Sequence, residues 1–211
     1  MTKEQQKFYD IKHYSDYNVV GEDIDYIVLI DDKKKEVILQ FEETDSREDW
    51  KHNFEFIPWP LSLDGKTVWT TRGYACAYKS AMGIPVNDFS IQCINHPGYR
   101  RIIRGWSFGS AMAKIAARHY VIRFGHLDEL TTFGDVKCWL NPFYRNTRCK
   151  RVRNYVTPND AVTWCVPFYS RDKKCKVGDK FSLVKLFGNP AYYHTNYDRY
   201  DYTRWCITKE K

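Results

Sequence analysis

A serine held between two glycines constrains this chain more than any other feature. The run Tyr99-Arg-Arg-Ile-Ile-Arg-Gly-Trp-Ser-Phe-Gly-Ser-Ala-Met-Ala-Lys-Ile-Ala-Ala-Arg-His-Tyr120 predicts a short strand, an abrupt turn, and then a helix of strong helix formers. At the turn, Gly105-Trp106-Ser107-Phe108-Gly109 fits the pattern G-x-S-x-G in the strand-turn-helix setting that the pattern requires. A serine there is lifted above the sheet, and the glycines remove side chains that would strike the neighbouring strand and helix. The new helix also aims unbonded N–H groups at the same point, so the Phe108 amide is placed to stabilise an oxyanion. Three fixed positions match by chance in roughly one chain in ten or twenty of this length, so the context carries the inference rather than the motif alone.

A nucleophilic serine needs a base, and the base needs an acid to hold its tautomer. In sites of this design the order along the chain is serine, acid, histidine. Of the six histidines, His13, His52 and His96 precede Ser107, and His119 lies on the helix just after it. Of the remaining two, His126 and His194, only His194 leaves room for an intervening strand that carries an acid. Asp160 fits that acid: it follows the strand-like Arg151-Val-Arg-Asn-Tyr-Val156 and the turn residues Thr157-Pro-Asn159, where catalytic loops gather in layered sheets. The predicted roles are Ser107 as nucleophile, His194 as general base and acid, and Asp160 as its orienting carboxylate.

The rest of the chain predicts the scaffold. Its 211 residues suit one domain. Residues 3–17 carry Phe8, Ile11, Tyr14 and Tyr17 at three-residue steps, which predicts a leading helix within residues 1–20. Tyr26-Ile-Val-Leu-Ile30 and Glu36-Val-Ile-Leu-Gln-Phe41, joined by Asp31-Asp-Lys-Lys-Lys35, predict a hairpin. Ile57-Pro-Trp-Pro60 reads as a loop because proline lacks an N–H. Helical spacing returns over residues 73–82 and 86–95, and residues 84–98 are the one stretch placed to form a small cap. Residues 127–133, 151–156 and 181–186 are strand candidates between turn residues. Alternating strands and helices give an α/β layered fold, and the early hairpin makes its sheet mixed.

Charge and cysteine narrow the function further. The seven cysteines form no C-x-x-C pair, so neither a zinc site nor a disulfide framework is signalled, and a reduced, cytoplasmic protein is expected. The N-terminus lacks an apolar signal region, and no run approaches the ~20 residues of a membrane-spanning helix. The net charge of +7 is concentrated in Arg145-Asn-Thr-Arg-Cys-Lys-Arg-Val-Arg153 and at Arg100, Arg101 and Arg104. Such runs can bind nucleic-acid phosphates, but no reading motif accompanies them, and a solvated face is the favoured interpretation.

Several blocks together resemble the class 3, fungal lipase-like branch of the α/β-hydrolases. Besides the serine turn, Val37-Ile-Leu-Gln-Phe-Glu-Glu-Thr-Asp-Ser-Arg-Glu-Asp-Trp50 is similar to that family's strand ending in Phe-Arg-Gly-Thr or -Ser. Thr71-Arg-Gly-Tyr-Ala-Cys-Ala-Tyr78 resembles its His-x-Gly-Phe helix start, Leu130-Thr-Thr-Phe-Gly134 its Thr-Phe-Gly strand, and Tyr155-Val-Thr-Pro-Asn-Asp-Ala-Val162 the segment bearing its acid. The order holds from about residue 25 to residue 197. The resemblance implies an α/β-hydrolase fold with a mostly parallel mixed sheet, helices on both faces and a short or absent lid. It also implies cleavage of a lipid-like carboxylic ester through an acyl-enzyme on Ser107, with no metal or organic cofactor. By position Thr44 matches the family's second oxyanion-hole residue beside Phe108. Two departures stand out: Trp106 where the family usually has His, and Glu42-Glu43 where it has Arg-Gly. Carboxylates beside a developing oxyanion oppose its charge, which opens a second reading: a hydrolase-fold protein with weak or no catalysis and a binding or structural role.

Overall fold

The computed structural model describes residues 11–13, 18–20, 24–41, 55–140, 148–164, 166, 169, 174–176, 182, 183, 185, 193 and 194. Strands β3 (Ile24–Asp31) and β4 (Glu36–Phe41) form the predicted antiparallel hairpin. Beyond β4 the sheet is parallel: β4 pairs with β7 (Arg100–Trp106), β7 with β8 (Leu127–Phe133), β8 with β9 (Cys149–Val156), and β9 with β10 (Lys174–Lys176). With β1 (Ile11–His13) and β2 (Asn18–Val20) on the free edge of β3, the result is a mixed, mostly parallel sheet in the order β1-β3-β4-β7-β8-β9-β10, with β2 also on β3.

Three helices lie against one face of this sheet: α1 (Arg72–Ser80), α2 (Ile84–Asn95) and α3 (Phe108–Phe124). Their buried residues share a core with Val37, Leu39, Phe41, Ile103 and Leu130 of the sheet. Helix α3 is buried on nearly every side, and its alanines at 111, 113, 116 and 117 let it approach the strands closely. The opposite face carries a smaller cluster of Ile27, Leu29, Ile38 and Ile102. The expectation of helices on that second face bears on residues outside the described ones.

Four local expectations need correction. Residues Ile11–His13 and Asn18–Val20 are strands β1 and β2, both antiparallel to β3, in place of the leading helix over residues 1–20. An isolated helix of that length is marginal in water, whereas the open edge of β3 offers unpaired backbone groups to any extended neighbour. The 84–98 segment is not a cap: α2 buries Val86, Phe89 and Cys93 in the main core. The turn that follows it enters β7 at Arg100, the opposite end of a seven-residue strand from Ser107, or ~20 Å away at 3.3 Å per residue.

The proline stretch is also no loop. Pro58–Leu63 is β5, paired with β6 (Lys66–Thr71) in a separate two-stranded sheet. A two-stranded ribbon is all edge, so Pro58 and Pro60 need not supply ladder donors. The turn residues Asp64 and Gly65 both have positive φ, 44° and 78°, the geometry for which an Asp-Gly pair is suited. Within the 181–186 strand candidate, three residues are described, of which Leu183 and Lys185 are helical and Ser182 is in neither helix nor strand.

Candidate active site

The G-x-S-x-G turn is built as its sequence requires. Ser107 closes β7 with φ 53° and ψ −121°, strained for a residue with a side chain, a conformation that costs about 1–3 kcal/mol. The glycines make it feasible. A Cβ on Gly105 would fall 1.9 Å from the Gly109 carbonyl oxygen and 2.9 Å from the Ala113 Cβ, so strand and helix cross in contact with no room for a methyl group. The Ser107 N–H donates to the Phe133 carbonyl at 2.9 Å, tying the turn to the end of the next strand. Phe108 opens α3, so its N–H is one of the four that a helix cannot satisfy internally.

Ser107, His194 and Asp160 come together in one row. His194 Nε2 lies 2.6 Å from Ser107 Oγ, and His194 Nδ1 lies 2.8 Å from Asp160 Oδ2. A carboxylate only accepts, so Nδ1 carries the proton and Nε2 accepts from the serine hydroxyl. All three are buried, Asp160 completely. The Asp160 side chain also accepts the Val162 N–H at 3.0 Å, and its backbone is fixed by Thr163 Oγ1 at 2.9 Å and by its own N–H to Thr157 at 3.1 Å. The serine and the acid sit just past the C-terminal ends of parallel strands β7 and β9, and the imidazole rests on Gly134, just past β8. The remaining predicted site residue, Thr44, lies outside the described residues, as do Glu42 and Glu43.

Three supporting features escaped sequence reasoning. Gly134, with φ 54°, is packed so tightly that a Cβ there would be 2.8 Å from His194 Cε1 and 3.3 Å from Trp106 Nε1. Trp106 donates its indole N–H to the His194 carbonyl at 3.2 Å. Lys114 of α3 and Asp135 form a fully buried ion pair at 2.8 Å, and Lys114 also donates to the Val136 carbonyl. Together with Val136 N–H to Ser110 Oγ at 3.2 Å, this pair fastens the segment after β8 to the serine-bearing helix. A lysine set within an Ala-Met-Ala-Ile-Ala-Ala run was the signal, since a buried cation demands a partner.

Three residues of the basic run, Lys150, Arg151 and Arg153, form ion pairs with carboxylates of the neighbouring strand. Lys150 pairs with Asp128 at 2.7 Å, while Arg151 and Arg153 reach Glu129 at 3.4 and 3.8 Å. Glu129 also takes Arg100 at 2.7 Å. Among the described residues, no group of three or more His, Cys, Asp or Glu side chains is arranged to hold a metal ion, and no helix is long and apolar enough to cross a membrane.

Solved structures share this architecture. A fungal lipase in an inhibitor complex matches with a TM-score of 0.68 at 20% identity over 80% of this chain. The triacylglyceride lipase of Rhizomucor miehei matches at 0.69 and 20% identity over 81%. This is the fold of the fungal lipases. A third neighbour, at TM-score 0.66, 20% identity and 81% coverage, is a triacylglycerol lipase whose catalytic centre is a serine protease triad. The chain spans 66%, 68% and 68% of the lengths of these three α/β-hydrolases. No family model matches the sequence, and no curated protein matches it.

Proposed function

We propose that the protein is a serine ester hydrolase that cleaves a lipid-like carboxylic ester through an acyl-enzyme on Ser107. The observation that carries this reading is the buried row from Ser107 Oγ through His194 to Asp160, with heavy-atom separations of 2.6 and 2.8 Å. Support for the substrate class comes from the lipase neighbours, which act on glycerol esters.

In the proposed reaction, Ser107 Oγ attacks the ester carbonyl carbon while His194 Nε2 takes the hydroxyl proton. Asp160 stabilises the imidazolium and keeps Nδ1 as donor. The tetrahedral oxyanion is held by the Phe108 N–H and, by resemblance, by Thr44. Collapse expels the alcohol, which receives the proton from His194. Water then attacks the acyl-enzyme: His194 accepts its proton and returns it to Ser107 as the acid leaves. No metal or organic cofactor takes part in this sequence. A reducing, cytoplasmic setting belongs to the same proposal and rests on the scattered spacing of the seven cysteines.

A fluorophosphonate probe tests the reading directly. The folded protein should be labelled at Ser107 and should hydrolyse p-nitrophenyl butyrate. Ser107→Ala should abolish labelling and reduce kcat on the order of 10⁶-fold. A folded protein that neither labels nor hydrolyses would sink the enzyme claim and leave a hydrolase fold used for binding or assembly.

A further inference from the structure

We propose that Trp106 is a positioning residue for His194: its indole N–H tethers the backbone of the base to the end of the strand that carries the nucleophile. This rests on the serine-hydrolase reading above and adds to it the device that sets the imidazole in line.

The need for such a device follows from the topology. His194 joins partners 87 and 34 residues away in sequence, Ser107 and Asp160, and no strand of the sheet carries it. Its ring is bound at both nitrogens, but two contacts on a ring leave the ring free to tilt about the line between them unless the backbone behind it is also fixed. Trp106 supplies that third point through the 3.2 Å bond from Nε1 to the His194 carbonyl oxygen. Because Trp106 adjoins Ser107 in β7, the tether refers the base to the nucleophile itself.

The indole is in turn held firmly. It is buried and packs on Phe133 with ring centroids 6.4 Å apart, and Phe133 stacks on Tyr155 at 5.2 Å and 13°. These three residues sit side by side on β7, β8 and β9, so the tether is anchored to three strands. Gly134 closes the arrangement. A Cβ there would meet the imidazole at 2.8 and 3.1 Å and the indole nitrogen at 3.3 Å, so imidazole, indole and backbone converge on a point that only glycine fits.

Trp106→Phe keeps an aromatic ring and removes the donor. Wild type and variant are compared on p-nitrophenyl butyrate, with rates divided by the sites titrated with the fluorophosphonate. The expected result is a kcat per titrated site about 10- to 100-fold lower, the scale for a catalytic group displaced by about 1 Å, with KM nearly unchanged. A merely structural tryptophan would lower the titratable fraction and the melting temperature and leave kcat per site intact. That outcome overturns the proposal. Should the Phe variant fail to fold, Trp106→3-benzothienylalanine, with sulfur in place of N–H in a near-isosteric ring, is read by the same comparison. A wild-type protein that does not label overturns the parent reading and the tether with it, whereas labelled wild type with an unimpaired variant overturns the tether alone.

Discussion

Ser107, His194 and Asp160 form one hydroxyl–imidazole–carboxylate row, and Tyr78, His119 and Asp64 form another. In the second, the Tyr78 hydroxyl lies 2.9 Å from His119 Nδ1, and His119 Nε2 lies 3.2 Å from Asp64 Oδ2. The groups occur in the same sequence, but their surroundings differ. Burial pushes the Tyr78 phenol far above its usual range, so it stays a proton donor and nothing activates it. Burial also lowers the His119 pKa, which favours the neutral ring. Asp64 is already engaged by Arg123, through Nε at 2.7 Å and Nη2 at 2.9 Å, and this holds its carboxyl down at about 2. The row therefore works as a clamp, fastening the β5–β6 turn to α1 and α3. At Ser107 the hydroxyl stands on a strained turn at a helix start, where unbonded N–H groups converge. On the reading proposed above, what separates the two rows is the strained backbone beneath the Ser107 hydroxyl, since both hold the same three kinds of group.

The largest test of this contrast is Asp160→Asn. By stabilising the wrong imidazole tautomer it should lower kcat about 10⁴-fold with little loss of stability, as steady-state kinetics and a melting curve would reveal. Full activity would remove Asp160 from the proposed role of orienting His194. Tyr78→Phe in the clamp should show the reverse pattern. It strands the buried Nδ1 of His119 and should cost about 1–3 kcal/mol in urea unfolding, while kcat per titrated site stays within twofold. The smallest effect concerns pH. Because burial lowers the His119 pKa in the folded state, the unfolded chain binds that proton more readily below its ordinary value of 6.5. The contribution of His119 to stability is therefore lost as pH falls below about 6.5. The melting temperature should drop more between pH 7.5 and 5.5 in wild type than in His119→Gln, and identical drops would remove His119 from the clamp's titration.

Much of the scaffold was legible because local chemistry and tertiary packing agreed. The β3–β4 hairpin, the serine turn, α3 and the cores of β8 and β9 each carry a period or a turn residue that tertiary context had no cause to override. The elements that depart from local expectation are those where tertiary context decided. The apolar spacing near the N-terminus suits a helix, but the edge of β3 draws residues 11–13 and 18–20 into strands. Two prolines argue against a strand, yet an isolated ribbon tolerates them, and the Asp64-Gly65 pair supplies the turn between β5 and β6. Residues 84–95 are apolar enough to cover a site or a sheet, and only the position of Val86, Phe89 and Cys93 in the core separates the two.

By itself the sequence determined where a strained serine can stand, since glycine at 105 leaves room for the strand and helix to cross at Ser107, and it ordered an acid and an imidazole after it. Only the tertiary structure decided that His194 reaches Ser107 across 87 residues, that Trp106 and Gly134 hold it there, and that Lys114 finds Asp135 in the interior. The reason is one of range. Backbone strain and capping act within a few residues and are written in adjacent letters, whereas contacts between distant segments depend on the whole sheet having closed its register first.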